Sequence, residues 1–223
     1  MASGSARGRF ITFEGGEGAG KSTQAHRLAL RLQAMGQGTI ETREPGGSPG
    51  AEAIRQMLLS GVAAALVPAG EALLFAAARI DHLERTIRPA LAAGTWVVCD
   101  RFADSTRAYQ GGRNALDQDF VLGLERLVVG DTRPDLTLII DLPVEVGLAR
   151  AAQRRNADAL ADRFESETLA FHEGVRRAFL AIAAAEPERC VLVDGTQSAD
   201  TLAEAVFDIV VARLRLDTPG CER

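Results

Sequence analysis

The sequence predicts an α/β fold: a single domain whose five-stranded parallel sheet carries helices on both faces. Three observations lead there. Short apolar runs alternate with longer segments of helical period, the pattern of parallel strands joined by crossover helices. The chain has 223 residues, which suits one large domain. Hydrophobic residues make up 47% and charged residues 25%, enough apolar material for a sheet buried on both sides. Only 5% are aromatic, so Ala, Leu and Val must fill most of that core.

Residues 1–9 are expected to be a flexible start. Phe10–Glu14 reads as a short buried strand, and a Gly-rich turn from Gly15 to Gly20 leads into a helix over Lys21–Met35. Leu28, Leu32 and Met35 recur there at helical spacing, and Gly36 ends the run. Thr39–Thr42 suits a second strand. Pro45-Gly46-Gly47-Ser48-Pro49-Gly50 is a loop. Ala51–Leu59 looks helical and Gly61–Pro68 connects it onward. Ala69–Ala93 is expected as one long helix with Leu73, Ile80, Leu83 and Ile87 as its buried stripe, kinked or broken at Pro89. Trp96–Cys99 is a strand. Thr106–Tyr109 and Phe120–Val129 are helical pieces around Gly111-Gly112. Leu136–Asp141 is a strand and Val144–Arg155 a helix. Asn156–Asp162 is polar and irregular, so an Arg-rich lid is expected over about 150–163. Phe164–Ala185 is a long helix, Cys190–Asp194 the last strand and Ala199–Leu214 the last helix. No repeat or linker divides the chain, so one domain is expected over 10–215, with a flexible tail over 216–223.

A net charge of -5 and a pI near 5.3 argue against a general binder of nucleic acid or anionic membrane. No run approaches the length of a membrane span, and the first residues lack the apolar stretch of a secretory signal. Cys99, Cys190 and Cys221 are odd in number and far apart. They suit the reduced thiols of a cytoplasmic protein, not a disulfide frame or a zinc site.

The chemistry starts at Gly15-Gly16-Glu17-Gly18-Ala19-Gly20-Lys21-Ser22, followed by Thr23. It fits G-x-x-x-x-G-K-[ST] between a predicted strand and a predicted helix. Small residues let backbone N–H groups converge on phosphate oxygens, and the helix N-terminus adds partial positive charge. Lys21 should reach the β- and γ-phosphates and the Ser22 hydroxyl should bind Mg²⁺. Of the 25 basic residues 24 are Arg, and Lys21 is the only Lys. That excludes a regulatory GTPase, which needs Asn-Lys-x-Asp, and a partitioning ATPase with a second loop Lys. Small-molecule kinases and larger ATPase machines remain, and the length favours a kinase.

Asp100 and Arg101 close a buried strand, at the sheet edge where α/β folds bind ligands. Asp100 can support Mg²⁺ or its waters, and Arg101 can grip a phosphate; a strand-end ion pair is the plainer alternative. Glu17 is repelled by phosphates, so it should point toward a hydroxyl or a cation unless it is merely solvated. Arg150, Arg154, Arg155 and Arg163 lie on and around the lid, with Arg150 and Arg154 on one helix face. The phosphate loop holds no Arg, so a closing lid could supply one; a solvated basic face would look the same. Phe75 and Arg79, also four apart, suit a stacked base with its edge bonded, although a lone Phe is more often core. His26, His82 and His172 show no partner in the sequence and read as structural or exposed.

Taken together, several stretches resemble thymidylate kinases of the bacterial type. They are Phe13-Glu14-Gly15-Gly16-Glu17-Gly18-Ala19-Gly20-Lys21-Ser22-Thr23, Arg43-Glu44-Pro45-Gly46-Gly47, Phe75-Ala76-Ala77-Ala78-Arg79, the run Asp100-Arg101-Phe102-Ala103-Asp104-Ser105-Thr106-Arg107-Ala108-Tyr109-Gln110-Gly111-Gly112, and Arg133-Pro134-Asp135-Leu136. They occur in the family's order from about residue 10 to 215. The resemblance implies the P-loop nucleoside-monophosphate-kinase fold with a lid, usually a homodimer. It implies transfer of the γ-phosphoryl of MgATP to dTMP, giving dTDP. On it, Phe75 stacks on thymine, Arg79 bonds the base edge, Thr106 reads the N3 side, and Tyr109 crowds the sugar's 2′ position. Glu17 meets the 3′-hydroxyl, Arg43 and Arg101 lie near the acceptor phosphate, and Ser105 and Gln110 join the same dTMP site. Lys21, Arg101 and a lid Arg are catalytic, Arg154 the first choice and Arg150 the second. Ser22 and Asp100 serve the metal. Ser48 and Phe102 depart from the family's usual Thr and Tyr or His while keeping polarity or size. A kinase for another nucleotide or small metabolite, or a nucleotide-dependent assembly protein, is the alternative.

Overall fold

The computed structural model describes residues 7–60, 62–111, 116–155 and 167–216. Five strands form one sheet: β1 (Phe10–Gly15), β2 (Thr39–Arg43), β3 (Trp96–Asp100), β4 (Leu136–Asp141) and β5 (Cys190–Asp194). Their order is β2-β3-β1-β4-β5, and every pairing is parallel. The chain leaves β1 toward one edge and later crosses β1 to reach β4, so the direction of winding reverses at β1. Ligands of open parallel sheets bind beyond the strand ends at such a point.

Alternation along the strands sorts the core into two layers. Ile11 and Phe13 of β1 and Leu136, Leu138 and Ile140 of β4 pack against α1 (Lys21–Ala34) and α9 (Ala199–Leu214) through Leu28, Leu32, Val206, Phe207 and Val210. Phe10, Val97, Cys99 and Ile139 face the other way. They meet α3 (Pro68–His82), α4 (Arg88–Ala92), α5 (Ala103–Thr106), α6 (Gln118–Val129) and α8 (Leu169–Ala185). Each fully buried large side chain, such as Leu32 or Phe10, contributes about 1.5–3 kcal/mol of transfer free energy. The remaining helices are α2 (Pro49–Leu59) and α7 (Val144–Arg155). Among the described residues, side-chain caps start three helices: Asp117 for α6, Thr168 for α8 and Ser198 for α9.

The helix expected over Ala69–Ala93 is interrupted near Pro89, as its sequence predicts: α3 stops at His82, a π-helical turn spans Leu83–Ile87, and α4 follows. Pro89 explains the break. It has no N–H, and its ring would strike the carbonyl four residues back, so the turn widens before it. The expected stripe is corrected in half of its residues. Leu83 and Ile87 are buried, but Leu73 is 51% and Ile80 47% exposed. The inner face of α3 is instead built from Glu71, Ala72, Ala76, Ala78, Arg79 and His82. Small alanines let this helix lie close to its neighbours, and the polar residues among them find partners inside. The expected connector Gly61–Pro68 contains a short 3₁₀ turn, Val62–Ala65. The expected lid beyond Arg155 and the expected start of α8 at Phe164 lie outside the described residues, as does most of the tail.

Candidate active site

The phosphate loop runs from the end of β1 into α1. Gly20 precedes α1 at φ 91°, a conformation costly to any residue with a Cβ, and no side chain caps the helix. No acidic residue stands in the first turn either. The N–H groups there await an anion, which is the phosphate-binding arrangement. Gly18, at φ 65°, touches α7: a Cβ on it would lie 1.9 Å from the Gly147 carbonyl oxygen. Gly147 in turn has room for no Cβ against the Glu17 carbonyl.

Lys21 is buried and donates to the Gly16 carbonyl at 2.7 Å. Burial, followed by the Arg101 charge, brings its ammonium down to about 8 against the pull of Glu17 and Asp100. The Ser22 hydroxyl donates to Asp100 Oδ2, and Asp100 Oδ1 is buried with no partner among the described residues. A hydroxyl beside a carboxylate with one oxygen unspent fits a divalent cation that keeps most of its shell for phosphates and water. No group of three His, Cys, Asp or Glu among the described residues forms a self-contained metal site.

Beside the loop lies a second cluster. Glu17 points away from the loop interior, as its charge requires. Its Oε1 accepts from Tyr109 Oη at 2.6 Å and Arg101 Nη2 at 2.8 Å. Burial alone would raise this carboxyl, but Arg101, Lys21 and the Tyr109 hydroxyl outweigh it and hold Glu17 at about 2. Burial keeps the Tyr109 phenol well above its usual value, so it remains a donor. Arg101 stands at φ 70° with its guanidinium carbon 5.0 Å from the Tyr109 ring centre, and it also donates to the Gly15 carbonyl. The Tyr109 ring packs edge-on against Phe171 and Phe179. Half-buried Phe75 joins the same cluster.

One turn along α3, Arg79 is buried. Its Nε donates to Glu44 Oε2 at 2.6 Å, and its Nη2 to the Phe102 carbonyl and to Thr106 Oγ1. Nη1 carries no hydrogen bond among the described residues, which leaves a fixed fork with one arm unspent. Glu44 is braced from behind by His82, and His82 by Thr42. So His82 is a buried structural residue and His26 an exposed partner of Glu41. His172 is buried, its Nε2 without a partner among the described residues, and lines a cavity of about 20 Å³ beside Gly16 and Glu17, room for one water.

The other expected residues are less convergent. Ser105 gives its hydroxyl to Glu14, and Gln110 donates to Glu71, both facing protein. Arg43, at the end of β2 beside Asp100, is exposed and pairs with Glu52 at 3.0 Å. Arg150 donates to the Gly195 carbonyl. The Arg154 and Arg155 side chains, and Arg163, lie outside the described residues.

The thymidylate kinase family model matches residues 13–206. The chain belongs to the thymidylate kinase family. A thymidylate kinase of Bradyrhizobium diazoefficiens is 56% identical over 216 residues, 97% of this chain and 94% of its own. One from Caulobacter vibrioides is 57% identical over 94% of this chain and 99% of its own. The crystal structure of thymidylate kinase from Ehrlichia chaffeensis superposes with a TM-score of 0.73 at 33% identity, covering 92% of this chain and 98% of that one. The activity of this family is phosphoryl transfer to dTMP, yielding dTDP, in nucleotide biosynthesis.

Three residues of the site, Glu14, Glu44 and Gly147, have no mark in the sequence that singles them out. In the sequence Glu14 and Glu44 stand only within the longer strings Phe13–Thr23 and Arg43–Gly47. Their partners lie 88 and 35 residues away, so no local pattern marks them. Gly147 is marked only by its closeness to the phosphate loop.

Proposed function

We propose that MgATP and dTMP occupy the two halves of this site together and react directly. The observation that carries the reading is the position of Glu17: a carboxylate of the phosphate loop, bonded to Arg101 and Tyr109 of the second cluster. A nucleotide switch would have no use for that second pocket.

ATP phosphates lie along the Gly15–Lys21 loop and the N-terminus of α1, with Lys21 at the β- and γ-phosphates. Ser22 and Asp100 hold Mg²⁺, which when bound offsets phosphate charge. Thymine lies on Phe75. Arg79 turns its unspent Nη1 to the base edge, and Thr106, already tied to Arg79, reads the N3 side. The Tyr109 ring fills the space of a 2′-hydroxyl, and Glu17 accepts from the 3′-hydroxyl. Ser105 and Gln110 shape the dTMP site from behind through their protein partners. Arg101 and Arg43 meet the acceptor phosphate. One of its oxygens attacks the γ-phosphorus, the bond from that phosphorus to the bridging oxygen breaks, and ADP leaves. The acceptor is already anionic at neutral pH, so no strong base is needed. Catalysis is alignment and charge neutralisation by Lys21, Arg101 and Arg154 of the closing lid, with Arg150 as second choice. Lid closure also excludes water.

The protein works in the cytoplasm and binds neither nucleic acid nor membrane. No helix among the described residues is long and apolar enough to cross a bilayer. It acts as a homodimer: α3 packs beside α6, and together they expose Leu73, Ile80, Phe120 and Leu127, an apolar surface a second copy would cover. The test of the reading is ADP formation from ATP with dTMP, dUMP, CMP or no acceptor. Turnover should depend on dTMP. Equal ADP release without an acceptor would overturn it.

A further inference from the structure

Glu14, in β1, is wholly buried and has no part in the reading above. Its Oε1 accepts the Phe102 N–H at 2.8 Å and the Ser105 N–H at 3.3 Å, and its Oε2 accepts the Ser105 hydroxyl at 2.6 Å. All three donors belong to the turn and helix that follow β3. That turn begins with Arg101 at φ 70°, a left-handed conformation that a residue with a Cβ keeps only when its surroundings impose it. The surroundings are β1. The Arg101 N–H is held by the Phe13 carbonyl at 2.9 Å, and the next N–H, that of Phe102, by Glu14. Two adjacent residues of β1 therefore clamp the peptide units on both sides of the strained residue.

The clamp reaches the guanidinium as well. Ser105 gives its hydroxyl hydrogen to Glu14, and the same oxygen accepts from Arg101 Nη1 at 3.2 Å. Arg101 then spans Gly15, Glu17 and Tyr109. We propose that Glu14 is a positioning residue for the acceptor half of the site: it holds the left-handed turn at Arg101 and, through Ser105, aims the Arg101 guanidinium and sets the Tyr109 hydroxyl it meets. The proposal rests on the reading that Arg101 and Tyr109 face dTMP.

The charged and titratable groups around Glu14 are Asp104 of α5, Arg101, Lys21 of α1 and the Cys99 thiol of β3. Burial, then Asp104, pushes the Glu14 carboxyl up to about 8, against the Ser105 hydroxyl, Arg101 and the Phe102 N–H. A neutral group of the same shape therefore suits the place. Gln can keep both N–H bonds on its carbonyl oxygen and offer its amide hydrogen to Ser105. Glu14→Gln is the conservative variant, Glu14→Ala removes every contact, and Glu14→Asp withdraws the carboxylate by one methylene while keeping a small acid in place should the Ala variant fail to fold.

The experiment measures KM for dTMP and for ATP in all three, and solves the Ala or Asp variant by crystallography. Glu14→Gln should hold KM for dTMP within about threefold of wild type, while Glu14→Ala or Glu14→Asp raises it about tenfold or more with KM for ATP within about threefold. In the variant's crystal structure Arg101 should relax to negative φ and leave Glu17. A loss confined to thermal stability and to kcat, with KM for dTMP unmoved and Arg101 still at positive φ, would overturn the proposal. Wild-type turnover that ignores dTMP would sink the functional reading, whereas the Arg101 backbone still tests the clamp without reference to any substrate.

Discussion

Tyr109→Phe and Tyr109→Ala separate what the ring does from what the hydroxyl does. The hydroxyl donates to Glu17 at 2.6 Å and accepts from Arg101 at 3.1 Å. Deleting it removes a hydrogen bond to a charged acceptor, about 1.5–3 kcal/mol in general. Glu17 keeps Arg101 at 2.8 Å, so the cost should sit at the low end, with kcat/KM for dTMP falling about tenfold. The ring stays, wedged edge-on at 6.1 and 6.3 Å from Phe171 and Phe179. A ribose 2′-hydroxyl pressed on a fixed ring costs about 1–3 kcal/mol, so wild type and Tyr109→Phe should both prefer dTMP over its ribo counterpart by about tenfold to a hundredfold. Tyr109→Ala removes a buried ring at a cost of about 3–5 kcal/mol in stability and opens the space beside the sugar. Its preference should collapse toward unity. The assay is kcat/KM for both acceptors in all three proteins, with urea melts to confirm folding. An Ala variant that keeps the preference would show Tyr109 to be only a core aromatic. A Phe variant that loses it would place the discrimination in the hydroxyl, against this reasoning.

Four further outcomes follow from the same site. Lys21→Ala should fold and lose about 3–5 kcal/mol of transition-state stabilisation, several orders of magnitude in kcat. Because Lys21 stands near 8 in the free protein and phosphates favour its charged form, ATP binding at pH 8 should take up protons. Calorimetry in two buffers of different ionisation enthalpy reads that uptake, and it should vanish in Lys21→Ala. Glu17 is depressed from 4.5 to about 2, so its ionised form stabilises the fold above about pH 4.5, and that contribution is lost as pH falls toward 2. Glu17→Gln should therefore be less stable than wild type by roughly 3 kcal/mol at pH 7, with the gap closing in urea melts taken from pH 5 downward. Arg154→Ala should depress kcat with dTMP affinity nearly unchanged, whereas Arg150, tied to the Gly195 carbonyl, should be the milder loss; the reverse ranking would reassign the lid arginine.

The sequence exposes the parts of this protein that repeat or cluster along the chain. All five strands, the phosphate loop and its single Lys are local patterns, and the structure has them within a residue or two. Leu73 and Ile80 misled because α3 has two usable faces. Periodicity finds an apolar stripe but not which side the sheet lies on, and the inner side is marked by small alanines and by Arg79, whose partners come from elsewhere. Glu14 and Glu44 show a second limit. Glu14 meets Phe102 and Ser105 only because β1 pairs with β3, and Glu44 meets Arg79 only because the loop after β2 lies over α3. Such contacts are products of topology, and a one-dimensional reading has no period or spacing with which to see them. Glu17 was the exception. Electrostatics alone says a carboxylate cannot turn into a phosphate cradle, and that sufficed to aim it outward.

The proposed mechanism brings donor phosphates and acceptor nucleoside together across Glu17, Arg101 and Tyr109. Its most direct test is a crystal structure with a bisubstrate nucleotide, adenosine and thymidine joined 5′ to 5′ by a phosphate chain. Phosphates should lie along Gly15–Lys21 and at the N-terminus of α1, thymine flat on Phe75 within hydrogen-bond distance of Arg79 Nη1, and the sugar against the Tyr109 ring with its 3′-hydroxyl on Glu17. Thymidine lying outside the Phe75–Arg79–Tyr109 pocket while the phosphates still fill the loop would contradict it.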